Sequence, residues 1–208
     1  MDKNFANYLG QIRIYSLLDF ILLLIAIEAN AYELAGAILL HIGFLLYLEY
    51  VHKHPYRKSF NPSLWIIFTI LGIIFYAKIA VLGFLLFGFL YAEKQRKLLG
   101  PYSPIFRGMQ IYFLVAGIIG LTAPLSFFAG ALIAIRNFAG DLRDVTKDKK
   151  EGMKTLPSVF GFKEDYKNLH LICLFSTSLA WIYVADLSPL WLLPIYFVEI
   201  VTYNITPR

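Results

Sequence analysis

The sequence predicts an all-α, multi-pass membrane protein, and two observations lead to this fold class. Of its 208 residues, 59% are hydrophobic and only 16% are charged, which is more apolar surface than a soluble core of this size can bury. The apolar residues also form long runs separated by short polar segments. In hydrocarbon such runs must satisfy their backbone hydrogen bonds internally, as an α-helix does. We therefore expect a transmembrane helical bundle of about eight helices.

Eight apolar runs are candidates for the membrane-spanning helices. In chain order they cover residues 14–30, 32–51, 64–77, 79–92, 106–120, 122–139, 168–186 and 189–204. The third and fourth runs have 14 residues each, and a helix of that length rises about 21 Å, less than the roughly 30 Å of a hydrocarbon core. These two runs therefore form either one long tilted helix or two helices that turn near Lys78.

The distribution of positive charge favours the turn near Lys78. With a hairpin there, the basic segments 52–58 and 93–107 lie on the same side of the membrane, whereas one long helix would separate them. Nearly all basic residues then face the cytoplasm, together with both chain termini. The net charge of +5 is explained as this orientation signal in a cell-membrane protein, not as a nucleic-acid-binding surface. Because no linker divides the chain, residues 1–208 are predicted to form a single membrane domain.

The cytoplasmic loop after the sixth run, residues 140–167, concentrates the charged residues that point to chemistry. If the preceding helix continues into this loop, one of its faces carries four polar residues at offsets of 4, 3 and 4: Asn137, Asp141, Asp144 and Asp148. Carboxylates so placed repel one another, and a divalent cation reverses that repulsion. Mg²⁺ prefers such oxygen ligands and commonly binds substrate phosphates as well. This spacing therefore suits a magnesium ion with a diphosphate ligand.

Cations that would neutralise further phosphate charge lie in and beside the same loop: Arg136, Arg143, Lys147, Lys149, Lys150 and Lys154. Gly152 and Pro157 are expected to end the cytoplasmic helix and to turn the chain back toward the seventh run. The alternative interpretation is an amphipathic, solvated loop helix whose charges pair with one another and with lipid headgroups.

The order of residues in this loop resembles the second aspartate-rich motif of the UbiA superfamily of intramembrane prenyltransferases. The matching pattern is Asp141-x-x-Asp144-x-x-x-Asp148, followed by Gly152-x-x-Thr155-Leu156-Pro157 and then Gly161. The resemblance implies an all-α fold of about nine transmembrane helices around a cavity that opens to lipid. It also implies that Mg²⁺ and an isoprenyl diphosphate bind there, and that the prenyl group passes to a lipophilic acceptor.

The resemblance assigns roles to individual residues. Asp141, Asp144 and Asp148 become the catalytic residues and the Mg²⁺ ligands. Substrate-binding residues are expected both beside the motif and in two places where the family resemblance is looser: Arg136, Asn137, Arg13, Lys94 and Arg96.

The sequence departs from the family pattern where the first aspartate-rich motif should follow the second run. No aspartate occurs between Asp19 and Asp141, and Glu49 is the acidic residue in the expected region. His52 and His54 are either metal partners there or solvated loop residues, and the neighbouring Lys53, Arg57 or Lys58 would replace the charge of a second metal ion. Two functions are therefore kept open: a divergent prenyltransferase, or a non-catalytic UbiA-like membrane binding, carrier or subunit protein. A transporter of unrelated mechanism is a third, weaker hypothesis.

Overall fold

The computed structural model describes residues 12–51, 62–95 and 99–205. Within these residues the secondary structure is helical throughout, without a β-strand, so the predicted all-α class is confirmed. The described residues form ten α-helices: α1 Ile14–Ala26, α2 Ala31–Val51, α3 Pro62–Tyr76, α4 Val81–Ala92, α5 Ser103–Ile119, α6 Pro124–Arg143, α7 Val145–Lys150, α8 Leu156–Val159, α9 Lys167–Val184 and α10 Leu192–Ile205. Three short 3₁₀ turns cover Glu93–Gln95, Gly100–Tyr102 and Pro189–Trp191.

Each of the eight apolar runs corresponds to one of the longer helices, and the count of ten arises because α7 and α8 form inside the loop 140–167. The third and fourth runs are two separate helices, since α3 ends at Tyr76 and α4 begins at Val81. Ala77 adopts a left-handed backbone conformation with φ of 48°, which stops α3 at that point. The interpretation as one long tilted helix is therefore wrong.

Two of the helices are long and apolar enough to cross a membrane: α2, with 21 residues, and α6, with 20. Four others, α1, α3, α4 and α10, are apolar but shorter. The structure therefore supports membrane association through α2 and α6. Spanning by all eight runs stays a prediction, and so does the cytoplasmic location of the termini, which lie outside the described residues.

Contacts divide the chain into two units. The first contains the described residues of Met1–Lys78 and Ser178–Arg208, and the second is Ile79–Thr177. Helix α9 contributes its first residues to the second unit and its last residues to the first. The single membrane domain expected from the sequence stays a prediction.

In the first unit, α2 begins at a reciprocal cap and then packs tightly against α3. Asn30 Oδ1 accepts hydrogen bonds from the backbone N–H groups of Tyr32 and Glu33, and Glu33 Oε2 accepts one from the Asn30 N–H at 3.1 Å. Further along, the absence of a side chain at Gly36 permits close approach, because a Cβ there would lie 2.3 Å from the backbone nitrogen of Tyr76. The cap therefore fixes where α2 starts, and the close contact at Gly36 fixes which face of α2 packs against α3.

A buried polar cluster connects α1, α9 and α10 in the same unit. The Ser178 hydroxyl lies 3.1 Å from Asp19 Oδ1 and 2.5 Å from Glu199 Oε1, and none of the three residues is exposed. Aromatic packing adds to this contact, since the rings of Tyr15 and Tyr203 meet edge-on with centroids 5.3 Å apart. Polar groups so deeply buried require their hydrogen bonds, and the cluster therefore fixes how these three helices meet.

Replacing Ser178 with alanine is expected to lower the free energy of unfolding by about 1–3 kcal/mol, because two buried carboxyl groups lose a hydrogen-bond partner. The matched control is Ser176→Ala in the same helix, where the exposed hydroxyl donates only to the Ile172 carbonyl at 2.9 Å. Its effect should stay within about 0.5 kcal/mol. Unfolding of the purified protein in detergent measures both, and equal stabilities of the two variants would contradict the structural role of Ser178.

In the second unit, α5 and α6 form an antiparallel pair held by close glycine contacts. A Cβ on Gly108 would lie 2.6 Å from the Gly130 carbonyl oxygen, so a larger residue there would push the helices apart. One face of the pair forms an apolar groove of about 290 Å³, whose floor includes both glycines. The candidate site lies where the start of α5 meets the end of α6, since the Ser103 hydroxyl there bonds to Asp141.

Candidate functional site

The candidate site is built where α6 ends and α7 begins. Helix α6 ends at Arg143, and Asp144 adopts φ of −108° and ψ of 18° before α7 starts at Val145. The preceding helix does continue into the loop, as far as Arg143, but the condition for one shared face, a helix that continues as far as Asp148, is not met. The break changes the directions of Asp144 and Asp148 relative to Asp141. The three carboxylates are close in the sequence, but they do not share one face of a continuous helix.

Asp141 lies in the last turn of α6, where two groups from other segments reach it. The Ser103 hydroxyl, at the start of α5, donates to Asp141 Oδ2 at 3.1 Å, and Lys94 Nζ lies 4.0 Å from Oδ1. Only 4% of Asp141 is exposed. These partners compensate a carboxylate that is otherwise removed from water.

Asp144, at the break, is paired with the preceding residue. Its two carboxylate oxygens accept hydrogen bonds from Nε and Nη2 of Arg143, the first at 2.9 Å. Burial works to raise the pKa of Asp144, but the bonds and charge of Arg143, with further charge from Lys147 and Lys94, outweigh it and hold the pKa below its usual value. Asp144 is therefore ionised at neutral pH.

Asp148 in α7 has fewer hydrogen-bond and ion-pair partners to offset its burial than Asp141 or Asp144. It is 2% exposed, and its Oδ2 atom is buried without a hydrogen-bond partner. Burial raises the pKa of Asp148 to about 7; Lys94 opposes this rise, and the charges of Asp141 and Asp144 add to it. Buried polar atoms are rarely left without a partner, so Asp148 Oδ2 points to a cation or hydrogen-bond donor that completes this site.

Lys94 approaches Asp141 from a separate segment, and its charge acts on the pKa values of Asp144 and Asp148 as well. It lies in the 3₁₀ turn Glu93–Gln95, with 17% of its side chain exposed. Burial works to lower the pKa of Lys94, but Tyr91 and the three carboxylates outweigh it and raise the pKa well above its usual value. The ammonium group is therefore charged, and it lies 4.0 Å from the Asp141 carboxylate.

A close backbone contact holds the Lys94 segment against the aspartate loop. A Cβ on Gly100 would lie 2.2 Å from the Lys154 carbonyl oxygen and 2.8 Å from that of Lys94, so only glycine fits there. On the other side of the loop, the Thr146 hydroxyl donates to Asp165 at 2.6 Å, and the Tyr166 N–H donates to the Leu142 carbonyl at 3.0 Å. These contacts fix the loop that carries the aspartates.

Of the two residues expected to end the helix and turn the chain, Gly152 adopts a left-handed φ of 69° just after α7 and ends that helix, as expected from the sequence. Pro157 instead lies in the first turn of the short helix α8, a position that proline favours because it has no backbone N–H to leave unpaired. Thr155 precedes α8 and is fully buried, with its hydroxyl oxygen lacking a hydrogen-bond partner.

The predicted substrate-binding residues are only partly brought together. Arg136 is buried and donates to the Thr177 hydroxyl oxygen at 3.2 Å, while Asn137 Oδ1 accepts a hydrogen bond from the Tyr91 hydroxyl at 3.1 Å. Both therefore lie in the same unit as the aspartates. Arg13 belongs to the first unit, where it lies 3.8 Å from Glu49. Arg96 lies outside the described residues, as do the loop residues His52, Lys53, His54, Arg57 and Lys58.

Helix α5 contributes polar residues that the sequence interpretation missed. Ser103, Arg107 and Gln110 are buried, and their spacing of 4 and 3 residues places them on one face of the helix. Arg107 donates to Gln110 Oε1, whereas Gln110 Nε2 has no hydrogen-bond partner. Three polar residues on one face at the start of an apolar helix are a signal that the sequence alone contained.

The three carboxylates do not converge on a single position where a metal ion could bind. In the part of the chain that the structure describes, no group of three acidic, histidine or cysteine side chains is placed to hold one metal ion. The donor chemistry fits Mg²⁺, with three carboxylates and one oxygen lacking a partner, but Lys94 and Arg143 engage two of the three in this conformation. The Mg²⁺ site therefore stays a prediction.

Comparisons with models of known protein families, with curated proteins and with solved structures gave no match to this chain.

The raised pKa of Asp148 predicts a pH dependence of stability in the metal-free protein. Its folded pKa of about 7 exceeds the unfolded value of about 3.9, so its contribution is fully present below pH of about 4 and is lost as the pH rises through about 7. Between these limits the wild type should lose about 2–4 kcal/mol more stability than Asp148→Asn, whose side chain does not ionise.

Unfolding in EDTA at a series of pH values measures this difference. Glu164→Gln is the control, because Glu164 is an exposed acid in the same loop and its replacement should leave the pH profile unchanged. If stability depends on pH in the same way in the wild type and in Asp148→Asn, the raised pKa does not belong to Asp148.

Proposed function

We propose that this chain is a divergent UbiA-like membrane protein that binds an isoprenyl diphosphate together with Mg²⁺ at the junction of α6 and α7. The observation that carries the proposal is the buried Asp148 carboxylate, whose Oδ2 lacks a partner beside two further aspartates and Lys94. A site that combines several carboxylates with cations suits a metal and a phosphorylated ligand better than it suits either alone. The motif resemblance supplies the isoprenyl part of the proposal.

The proposed reaction transfers the prenyl group to a lipophilic acceptor. The allylic carbon–oxygen bond breaks, and the diphosphate leaves with the bonding electrons. The acceptor forms the new bond to the allylic carbon and releases the proton of the bonding atom, which the departed diphosphate can accept. Mg²⁺, when bound, would neutralise the charge that develops on the departing diphosphate. Asp141, Asp144 and Asp148 would hold the metal, and Lys94 and Arg143 would contact the phosphate oxygens. Arg136 and Asn137, one turn before the carboxylates, would orient the leaving group.

The proposed location is the cell membrane, with the loop 140–167 and both termini in the cytoplasm. Support comes from α2 and α6, which are long and apolar enough to span a bilayer, and from the basic residues that flank the apolar runs. The diphosphate would then bind at the cytoplasmic side, where a soluble headgroup is accessible, while the prenyl chain and acceptor would reach the site from lipid.

This topology predicts opposite labelling of two engineered cysteines. In a Cys173→Ser background, which removes the one native cysteine, Ile79→Cys lies in the turn near Lys78 and Lys163→Cys in the aspartate loop. Both positions are exposed in the structure. A membrane-impermeant maleimide should label position 79 in intact cells and position 163 only after permeabilisation. Equal labelling of both positions in intact cells would contradict the topology.

The second candidate function is a non-catalytic UbiA-like binding, carrier or subunit protein. It is favoured by the missing first aspartate-rich motif, because Glu49 is the acid in that region and lies beside Arg13 at 3.8 Å. One set of carboxylates suffices to bind a diphosphate through a metal ion, whereas ionisation of an allylic diphosphate needs its charge neutralised more completely.

Binding of geranylgeranyl diphosphate to the detergent-purified protein tests the proposed site. The wild type should bind it in Mg²⁺ and lose that binding in EDTA. Asp144→Asn and Asp148→Asn should each weaken binding at least about tenfold, because each removes a charged ligand without changing the side-chain shape. Glu164→Gln, an exposed acid of the same loop, should bind like the wild type.

Two further measurements complete this test. Geranylgeraniol, which has the chain without the diphosphate, should show no dependence on Mg²⁺. Release of inorganic diphosphate in the presence of a total membrane lipid extract would favour the enzyme, whereas Mg²⁺-dependent binding without release would favour the non-catalytic protein. If neither the wild type nor Glu164→Gln binds the diphosphate, the site proposal is wrong.

A further inference from the structure

The three aspartates of the candidate site are already accompanied by three cations of the protein. Asp141, Asp144 and Asp148 carry three negative charges when ionised, and the cations that act on their pKa values are Lys94, Arg143 and Lys147. The local sum is therefore close to zero before any metal ion binds. A divalent cation entering this cluster would meet three positive charges as well as three carboxylates.

We infer that Lys94 competes with a divalent metal ion for Asp141 and Asp148, so that the metal binds tightly only after a diphosphate has drawn the Lys94 ammonium away. The coupling of metal to diphosphate rests on the proposed function. The competition between Lys94 and the metal does not rest on it, because it concerns the metal and the protein alone.

The position of Lys94 carries the first step of this inference. Its ammonium nitrogen lies 4.0 Å from Asp141 Oδ1, and its positive charge also lowers the pKa values of Asp144 and Asp148. That distance is an ion pair without a hydrogen bond of normal length. The flexible side chain of a lysine can therefore move to a phosphate oxygen without breaking a specific hydrogen bond to Asp141.

Asp148 carries the second step, because it supplies a ligand atom that the protein leaves unused. The residue is 2% exposed, and Oδ2 has no hydrogen-bond partner, although Lys94 and two other aspartates act on its charge. A buried carboxylate oxygen of this kind is suited to a cation that arrives with its ligand. Asp148 therefore offers a ligand atom to a metal ion, but the positive charge of Lys94 weakens metal binding while Lys94 stays beside the aspartates.

Arg143 has a different role in this arrangement. Its Nε and Nη2 groups both bond to Asp144, the adjacent residue, which fixes the guanidinium geometrically. Lys94, by contrast, comes from a separate segment that Gly100 holds against the aspartate loop. Lys94 is therefore the cation that can leave, and its movement links the two ligands. By thermodynamic reciprocity, each ligand then raises the affinity for the other.

Titration of the full-length, detergent-purified protein with Mn²⁺ alone, followed by electron paramagnetic resonance of the free ion, tests the competition. Lys94→Met and Lys94→Gln should bind Mn²⁺ at least about tenfold more tightly than the wild type, because a positive charge near the carboxylates is removed. Lys163→Met is the matched control: it removes the same charge from an exposed position in the same loop and should bind Mn²⁺ like the wild type.

The inference is overturned if both Lys94 variants, shown by circular dichroism and thermal unfolding to be folded, bind Mn²⁺ with wild-type affinity. It is also overturned if Lys163→Met gains as much affinity as they do, since the effect would then reflect net charge alone. Lys94→Arg, which restores the charge, should return Mn²⁺ affinity toward that of the wild type.

Adding inorganic pyrophosphate at matched free Mn²⁺ concentration tests the coupling. Wild-type affinity for Mn²⁺ should rise at least about tenfold, and the rise should be smaller in Lys94→Met, whose carboxylates are already accessible. No rise in the wild type overturns the coupling. If the wild type binds geranylgeranyl diphosphate while Lys94→Met gains no Mn²⁺ affinity, this inference fails and the proposed function stands. If Lys94→Met gains Mn²⁺ affinity while no variant binds a diphosphate, competition stands and the proposed function fails.

Discussion

Burial of Asp141 and Asp148, with the half-buried Asp144 between them and Lys94 beside them, is the constraint on which the second unit depends. Carboxylates removed from water are costly unless cations or hydrogen-bond donors accompany them. Here Lys94, Arg143 and the Ser103 hydroxyl come from three different segments to do so. The close fit at Gly100 and the antiparallel packing of α5 and α6 both serve to bring these groups to the end of α6.

The three carboxylates differ in how well hydrogen bonds and cations compensate their burial, and this difference distinguishes the cluster from a structural salt-bridge network. Asp144 is fully engaged by a guanidinium, Asp141 by a hydroxyl and a more distant ammonium, and Asp148 retains an oxygen without a partner. A purely structural salt-bridge network would satisfy each carboxylate, because a buried orphan destabilises the fold. Here one oxygen of Asp148 lacks a hydrogen-bond partner, and a buried acid with a shifted pKa is a feature that functional sites share.

The first unit has a separate polar interior that serves packing. Asp19, Ser178 and Glu199 join helices that are far apart in the chain, and the cap at Asn30 and the contact at Gly36 fix the start and the packing of α2. Glu49 is accompanied by Arg13 in this unit. Among the residues of this unit that the structure describes, no arrangement of three aspartates occurs, and the sequence has no aspartate between Asp19 and Asp141.

The sequence by itself determined the helical class, the location of each long helix and the loop that carries the aspartates, because apolar run length and the glycine at position 152 are local signals. It did not determine the break at Asp144, where no glycine or proline marks the end of α6. Nor did it determine that Lys94 and Ser103 meet Asp141, or that Asp148 keeps an oxygen without a partner. Those features arise from contacts between residues distant in the chain, and only the tertiary packing decides which charges are buried together.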